Sequence, residues 1–307
     1  MASTSEKPTR RRLKLIASVL QSAVLAAAVV YIIWVLVGEW EQLRGHVWRL
    51  RAGPALLSVP LAAAWFFLRA RLWQRILSCF GHTLAYRRAL RTFVLAELSR
   101  YLPGTVWHVL SRSYLSSRQG IPTPVALTAV ILELALVALA ATAFVPLRAI
   151  GGRHAYHSLT LWAAVAVPLL LVLAHPRVVI PLINAGLRRF SRPPLPALGY
   201  RDLFGMLALC ALMWACLCAG FVLLASSITP AATRAPVGVA ASFPAAWFVG
   251  LIAIAAPGGI GAREGALVVL LGGLLPGGMA VVVALVSRVW LTVIELLFAA
   301  IAWRLPE

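Results

Sequence analysis

Six continuous apolar stretches of about bilayer length constrain this 307-residue chain more than any other feature. A helix needs roughly 20 apolar residues to cross about 30 Å of hydrocarbon, and each stretch is close to that length. With 62% hydrophobic and only 12% charged residues, the chain has too little polar surface for a soluble fold. The stretches are 15–38, 54–77, 121–146, 158–175, 203–226 and 279–303. The sequence therefore predicts an all-α integral membrane protein with about six to eight transmembrane helices.

Two further hydrophobic stretches, 86–118 and 241–276, are interrupted near their middle by proline and glycine. Proline removes a backbone donor, and glycine relaxes the backbone. The interrupting residues are Pro103, Gly104, Pro257, Gly258 and Gly261. Because lipid cannot satisfy freed backbone amides and carbonyls, such interruptions must be surrounded by protein or line a wet cavity. We therefore expect two re-entrant helical hairpins whose breaks point into the protein.

The formal net charge of +19 comes from 28 Lys and Arg residues against 9 acids. Most of these bases lie between the apolar stretches, and no soluble aromatic-basic platform is present, so we expect no nucleic-acid partner. With six crossings and both hairpins returning to their own side, twenty bases fall inside, counting every base in 69–118, and six outside. The positive-inside rule then predicts an inner-membrane protein with a basic cytoplasmic tail at 1–14 and one membrane domain at 15–304.

An internal repeat accompanies the two breaks. After the first break comes a helix reading ILELALVALAA with Glu133, and after the second comes one reading VIELLFAAIAW with Glu295. In the six-crossing arrangement these helices run in opposite directions, which predicts an inverted repeat with halves at about 86–146 and 241–303. Transporters commonly bind substrate where such broken repeats meet. Chance similarity between Leu- and Ala-rich helices is the competing explanation.

Charged residues inside the hydrophobic stretches cost roughly 2.5–3.5 kcal/mol each on insertion scales, so each needs a partner or a purpose. The candidates are four acids and four arginines, whose formal charges cancel: Glu97, Arg100, Arg112, Glu133, Arg263, Glu264, Arg288 and Glu295. Arg288 and Glu295 are seven residues apart and share a helix face. Arg263 follows the second break, where a guanidinium can clamp a phosphate with two parallel bonds. The simpler interpretation is that these charges only lock helices together.

Catalytic and cofactor motifs do not emerge from the sequence. His154 and His157 form an HxxH pair, but no nearby Cys, Asp or Glu completes a metal site. The segment PGGIGAREG lacks both the preceding strand and the GK[ST] ending of a phosphate loop. No GxSxG or HExxH motif occurs. We therefore predict no metal, no cofactor and no enzymatic activity.

The segments RYLPGTVWHVLSR, ILEL and APGGIGAREGAL together resemble the lysylphosphatidylglycerol synthase transmembrane region family, also called the flippase-like domain family. The resemblance covers nearly the whole chain after Arg12, and the second signature, at 257–265, is the more specific. In fused members, the membrane region is associated with moving aminoacylated phosphatidylglycerol between leaflets, and a soluble synthetase follows. Because this chain ends at Glu307, we expect a stand-alone member without the synthetase.

The resemblance implies a flippase-like transporter that moves an anionic lipid or a lipid-linked precursor between leaflets. In that hypothesis the arginines compensate head-group phosphate, while the acids hold the arginines and release them as the repeats rock. The predicted lipid-binding residues are Arg100, Pro103, Gly104, Arg112, Glu133, Pro257, Gly258, Gly261, Arg263, Glu264, Arg288 and Glu295. One alternative is a membrane-embedded enzyme or accessory subunit of a polyprenyl, hopanoid or glycolipid pathway. Another is a scaffold that binds a lipid-synthesis enzyme.

Overall fold

The computed structural model describes residues 50–99, 107–145, 199–253, 261–276 and 278–304, with isolated positions at 37, 147, 181, 184–185 and 188. This part of the chain contains α-helices, a short 3-10 turn at Pro230–Thr233 and no strand. The α-helices are α1 (Ala52–Cys79), α2 (Tyr86–Leu98), α3 (Trp107–Ser117), α4 (Thr123–Phe144), α5 (Tyr200–Ile228), α6 (Pro236–Ile252), α7 (Ala262–Gly272) and α8 (Met279–Trp303).

Four of these helices, α1, α4, α5 and α8, are long and apolar enough to cross a bilayer. They contain 28, 22, 29 and 25 residues, which at 1.5 Å of rise per residue exceeds about 30 Å in every case. Each coincides with a predicted span, so those four predictions are confirmed. The predicted spans 15–38 and 158–175 lie outside the described residues.

The two faces of α8 show how such a helix meets its surroundings. Val289 and Ile301 are 62% and 60% exposed, and they belong to an uncharged stripe along the outer face. Ser287 and Glu295 are buried at 2% and 0%. An apolar outer face, with a serine and a carboxylate buried on the inner side, is the reverse of a soluble helix and suits a helix whose outside contacts lipid.

The first interrupted stretch forms two short helices, α2 with 13 residues and α3 with 11. Neither reaches the roughly 20 residues of a full crossing. Glu97, near the end of α2, pairs with Arg112 in the middle of α3. Thr92, one turn earlier, accepts a hydrogen bond from Gln119, beyond the end of α3. The two helices therefore run antiparallel, as the predicted re-entrant hairpin requires.

The second interrupted stretch is built in the same way from α6 and α7. A Cβ atom at Gly238, near the start of α6, would lie 3.1 Å from the Leu274 side chain just beyond α7, so these ends are adjacent. Helix α6 begins at Pro236, five residues before the predicted hydrophobic stretch 241–276. Proline suits the first turn of a helix because its missing N–H would have no intrahelical partner there.

The core is centred on α1 and α5, which pack along their length. Gly220 permits the close approach, because a Cβ there would lie 3.1 Å from the Ser58 carbonyl oxygen and 3.2 Å from Leu61 Cβ. Beside it, the rings of Trp65 and Trp214 meet edge to face with centroids 4.7 Å apart. Trp214 Nε1 donates to the Val137 carbonyl oxygen at 3.0 Å, which attaches α4 to the same centre.

We predict that Gly220→Leu lowers the thermal unfolding midpoint of the detergent-solubilised protein. The added side chain must push α1 away from α5, and overpacking of this kind typically costs about 1–3 kcal/mol. Gly272→Leu is the matched control, because a Cβ at Gly272 meets no heavy atom within 4 Å. Equal midpoints for the two variants would contradict the packing described here.

Candidate functional site

Four charged side chains from four successive helices meet inside the bundle. Arg69 comes from α1, Glu97 from α2, Arg112 from α3 and Glu133 from α4. Their exposures are 4%, 2%, 0% and 0%, so all four are withdrawn from the surface. We call this group the charge ring.

The ring is closed by ion pairs on every side. Glu133 accepts from Arg69 Nε at 2.7 Å through one oxygen and from Arg112 Nη1 through the other. Arg112 Nη2 donates to Glu97 Oε1 at 2.6 Å, and Arg69 Nη1 lies 3.7 Å from Glu97 Oε2. Two positive and two negative charges cancel. An isolated ion would carry a desolvation penalty of several kcal/mol here, and mutual pairing offsets much of that penalty.

Aromatic rings surround the two guanidinium groups. The Phe93 ring centroid lies 4.4 Å from the Arg112 guanidinium carbon and 5.2 Å from that of Arg69. Trp65 and Trp73 contact Arg69 and Arg112 at 5.7 and 5.8 Å. Guanidinium is weakly hydrated and stacks on aromatic faces, so arginine suits this dry setting better than lysine.

A second charged group lies beside the second interrupted stretch. Glu264, in the first turn of α7, accepts from the Gly261 backbone N–H at 2.8 Å through Oε2. Its other oxygen, Oε1, lies 3.5 Å from Arg288 Nη1 on α8. Gly261 has φ of +86°, a value that side chains disfavour, and it allows the chain to enter α7 at this angle. We call Glu264, Arg288 and the start of α7 the cap cluster.

Arg263 on α7 and Glu295 on α8 are two further buried charged residues of this half. Arg263 is 8% exposed, and its guanidinium carbon lies 4.5 Å from the Phe243 ring centroid on α6. Glu295 is fully buried on α8. In the cap cluster, the Glu264 carboxylate lies between the partly exposed Arg288 and the N-terminus of α7. A phosphate can replace this carboxylate, because both anions accept the same paired N–H bonds.

The two charged groups differ in tightness. Arg112 is completely buried and forms short bonds to two carboxylates. The Arg288 side chain is 20% exposed, and its ion pair with Glu264 is long at 3.5 Å. The charge ring is therefore closed and dry, whereas the cap cluster is looser and partly accessible.

The structure brings the predicted site residues into these two groups. Arg112 and Glu133 belong to the charge ring, and Gly261, Glu264 and Arg288 form the cap cluster, with Arg263 buried against α6. Lipid binding by these residues and by Glu295 stays a prediction. Arg100, Pro103, Gly104, Pro257 and Gly258 lie outside the described residues, as do His154 and His157.

Arg69 completes the charge ring but is absent from the predicted site residues. The charge count assigns it to the cytoplasmic side with every other base in 69–118, and the structure buries it within α1 at 4% exposure. The helical period contains the signal that could have found it. Arg69 stands four residues after Trp65 and four before Trp73, so all three share the buried face of α1.

Metal chemistry finds no support in the described residues, which contain no group of three or more His, Cys, Asp or Glu side chains placed to hold an ion. The described cysteines are unpaired, with Cys210 and Cys218 buried in α5. They pack as small apolar side chains.

Four bilayer-length helices, two interrupted helix pairs and a paired charged interior define a multi-pass membrane protein. The family model for the lysylphosphatidylglycerol synthase TM region matches residues 18–299, nearly the whole chain. The chain belongs to this family, and the resemblance noted in the sequence is confirmed. No curated protein sequence shows a significant match to the chain.

We predict that Glu133→Gln strongly lowers the thermal unfolding midpoint, because it leaves two buried arginines facing one carboxylate. Removing one member of a buried ion pair typically costs about 3–5 kcal/mol. Thermal unfolding of the purified protein in detergent measures the effect. The double variant Arg69→Gln/Glu133→Gln should recover part of the loss, because the remaining Arg112–Glu97 pair is neutral.

Asp202→Asn provides the control for this experiment. The Asp202 side chain is 49% exposed and lies 3.9 Å from Arg75, and exposed pairs contribute only about 0–1 kcal/mol. If Glu133→Gln unfolds no earlier than Asp202→Asn, the charge ring does not hold the four helices together.

Proposed function

We propose that this protein is a flippase-like transporter that moves an anionic lipid, or a lipid-linked precursor, between the leaflets of the inner membrane. Family membership supports a protein of lipid metabolism or of flippase type. The observation that carries the proposal further is the cap cluster, where a carboxylate already occupies an anion position beside an interrupted membrane segment.

Glu264 fills that position from within the chain. Its carboxylate accepts from the N–H at the start of α7 and faces Arg288 at 3.5 Å. A helix N-terminus with an arginine beside it is an arrangement that also binds phosphate. In the proposed cycle, the head-group phosphate takes the place of the Glu264 carboxylate, and Arg288 transfers its ion pair from protein to lipid.

Arg263 would supply the second pair of donors. Arg263 immediately precedes Glu264 in the sequence, and its guanidinium stacks on Phe243 of α6. The stacking leaves the edge of the planar group as the hydrogen-bonding part, which suits a bidentate contact with phosphate oxygens. Arg263 and Arg288 thus form the exchanging pair in this proposal, and Glu264 and Glu295 provide the compensating charge when lipid is absent.

The charge ring has a different role in the proposal. Both of its arginines pair with Glu97 and Glu133 and pack against aromatic rings, so exchange with a lipid would require several ion pairs to break together. We assign the ring to holding α1 to α4 as one unit, against which the α6–α8 half moves. Arg112 and Glu133, predicted as lipid ligands, act here through that unit.

The orientation and partners belong to the same proposal. The excess of basic residues on one side supports a cytoplasmic N-terminus in the inner membrane. A lipid-synthesis enzyme is the partner class that would deliver the lipid, and the lipid itself is the substrate.

We predict that Arg263→Ala abolishes lipid transport by the reconstituted protein, and that Arg263→Lys retains a small part of it. Lysine keeps the positive charge but loses the planar fork that binds two phosphate oxygens at once. The measurement uses proteoliposomes that contain fluorescent phosphatidylglycerol or other labelled anionic lipids, and it follows fluorescence loss when a membrane-impermeant reductant is added outside.

Arg234→Ala is the matched control, because Arg234 is exposed beyond the 3-10 turn and lies away from both charged groups. It should transport as the unchanged protein does. Transport by Arg263→Ala at the control rate would contradict the proposed role of Arg263. A wild-type protein that moves no member of the anionic panel would contradict the transporter, and a change in lipid mass would instead identify an enzyme.

A further inference from the structure

A cavity of about 300 Å³ opens between α2 and the end of α3, away from the charge ring. Three arginines line it, Arg88 and Arg91 from α2 and Arg118 from the turn after α3, together with Thr92, Gln119 and two leucines. Arg88 and Arg118 are exposed and Arg91 is half-buried, so the cavity is open to the surroundings.

The described residues that line this cavity include no carboxylate. The one acid on α2 is Glu97, which belongs to the charge ring, and α3 contains none. A larger cavity of about 550 Å³, lined by Arg71 and Arg75, differs in this respect, because Arg75 lies 3.9 Å from Asp202. Three arginines on the wall of one cavity, two of them exposed, create a strongly positive concavity, and such a concavity attracts multivalent anions.

The fold itself holds the arginines of this cavity in place. Arg88 and Arg91 are three residues apart and therefore share a face of α2. Gln119 Nε2 donates to Thr92 Oγ1 at 2.7 Å, which ties the turn carrying Arg118 to the same face. Thr92 is buried and Gln119 is exposed, so this bond joins the inner side of α2 to the surface turn. The spacing between Arg118 and the α2 arginines is thus fixed by a contact independent of any ligand.

The cavity and the charge ring lie on the same pair of helices, α2 and α3. Arg88 precedes Glu97 by nine residues, about 14 Å along α2. Arg118 follows Arg112 by six residues. The cavity therefore lies at the outer end of the helix pair whose inner part carries the ring, on the side predicted to face the cytoplasm.

We propose that this cavity binds the phosphate of a lipid head group at the membrane surface, as the station where the transported lipid docks before it moves inward. Two or three guanidinium groups can donate paired bonds to one phosphate, and the leucines offer an apolar wall for the adjoining glycerol or isoprenoid part. The inference deepens the proposed function and rests on it for the transport step, whereas phosphate binding itself does not depend on transport.

The test compares binding by the full chain in phosphatidylcholine nanodiscs, titrated calorimetrically with dihexanoyl phosphatidylglycerol and, separately, with inorganic phosphate. Arg91→Gln and Arg118→Gln should each weaken binding of the short-chain lipid about tenfold, a usual effect of losing a charge-assisted bond. Arg87→Gln is the matched control, because Arg87 is exposed on the same helix turn but does not line the cavity. It should bind as the unchanged protein does.

Each result has a defined meaning. If both cavity variants bind the lipid as the unchanged protein does, and both keep its unfolding midpoint, the cavity is not the binding site. If either variant has a lowered unfolding midpoint, Arg88→Gln is measured in its place. Binding of inorganic phosphate as tight as that of the lipid would overturn the lipid assignment. Lost binding with undiminished lipid transport would remove the cavity from the path while the transporter stands. Binding by a wild-type protein that transports nothing would refute the proposed function and leave the anion site.

Discussion

The α1–α4 part of this fold depends on one constraint, the burial of charged side chains inside a membrane-spanning bundle. Glu133 is completely inaccessible, and it is accommodated because Arg69 and Arg112 reach it from two other helices. Arg112 in turn reaches Glu97 on a fourth helix. An apolar interface between α1, α2, α3 and α4 would tolerate small shifts, but a closed set of ion pairs with no access to water does not. The charge ring therefore fixes how these four helices pack.

The charge ring and the cap cluster differ in how tightly their ion pairs are held. Each half places a charged residue on a short helix after the interruption and its partner on the long helix that follows, Arg112 with Glu133 and Glu264 with Arg288. The signs are reversed between the halves. A short, dry pair suits a fixed element, and a long, partly wet pair suits one that exchanges partners. In the proposed function, the α1–α4 half is the frame and the α6–α8 half contains the moving anion site.

Much of the architecture was predictable, and the physical reasons are specific. Hydropathy located α1, α4, α5 and α8 because length and apolar content alone decide whether a helix spans. Charge inside apolar segments marked Glu97, Arg112, Glu133 and Glu264 for the same energetic reason. Pairing was harder, because it depends on how helices far apart in sequence rotate and pack. Arg288 shares a helix face with Glu295, yet it pairs with Glu264 of α7. Arg69 resembles the exposed Arg71 and Arg75 on the same helix until the packing of α1 is known.

A cryo-electron microscopy structure in nanodiscs, determined with an anionic lipid that the protein is shown to move, would test the central claim most directly. The exchange proposal predicts a lipid phosphate within hydrogen-bonding distance of Arg263 and Arg288, the Glu264 carboxylate displaced from the start of α7, and an unchanged charge ring. A phosphate bound to Arg112 in an opened ring, or a cap cluster packed tightly with Glu264 still in place, would contradict it.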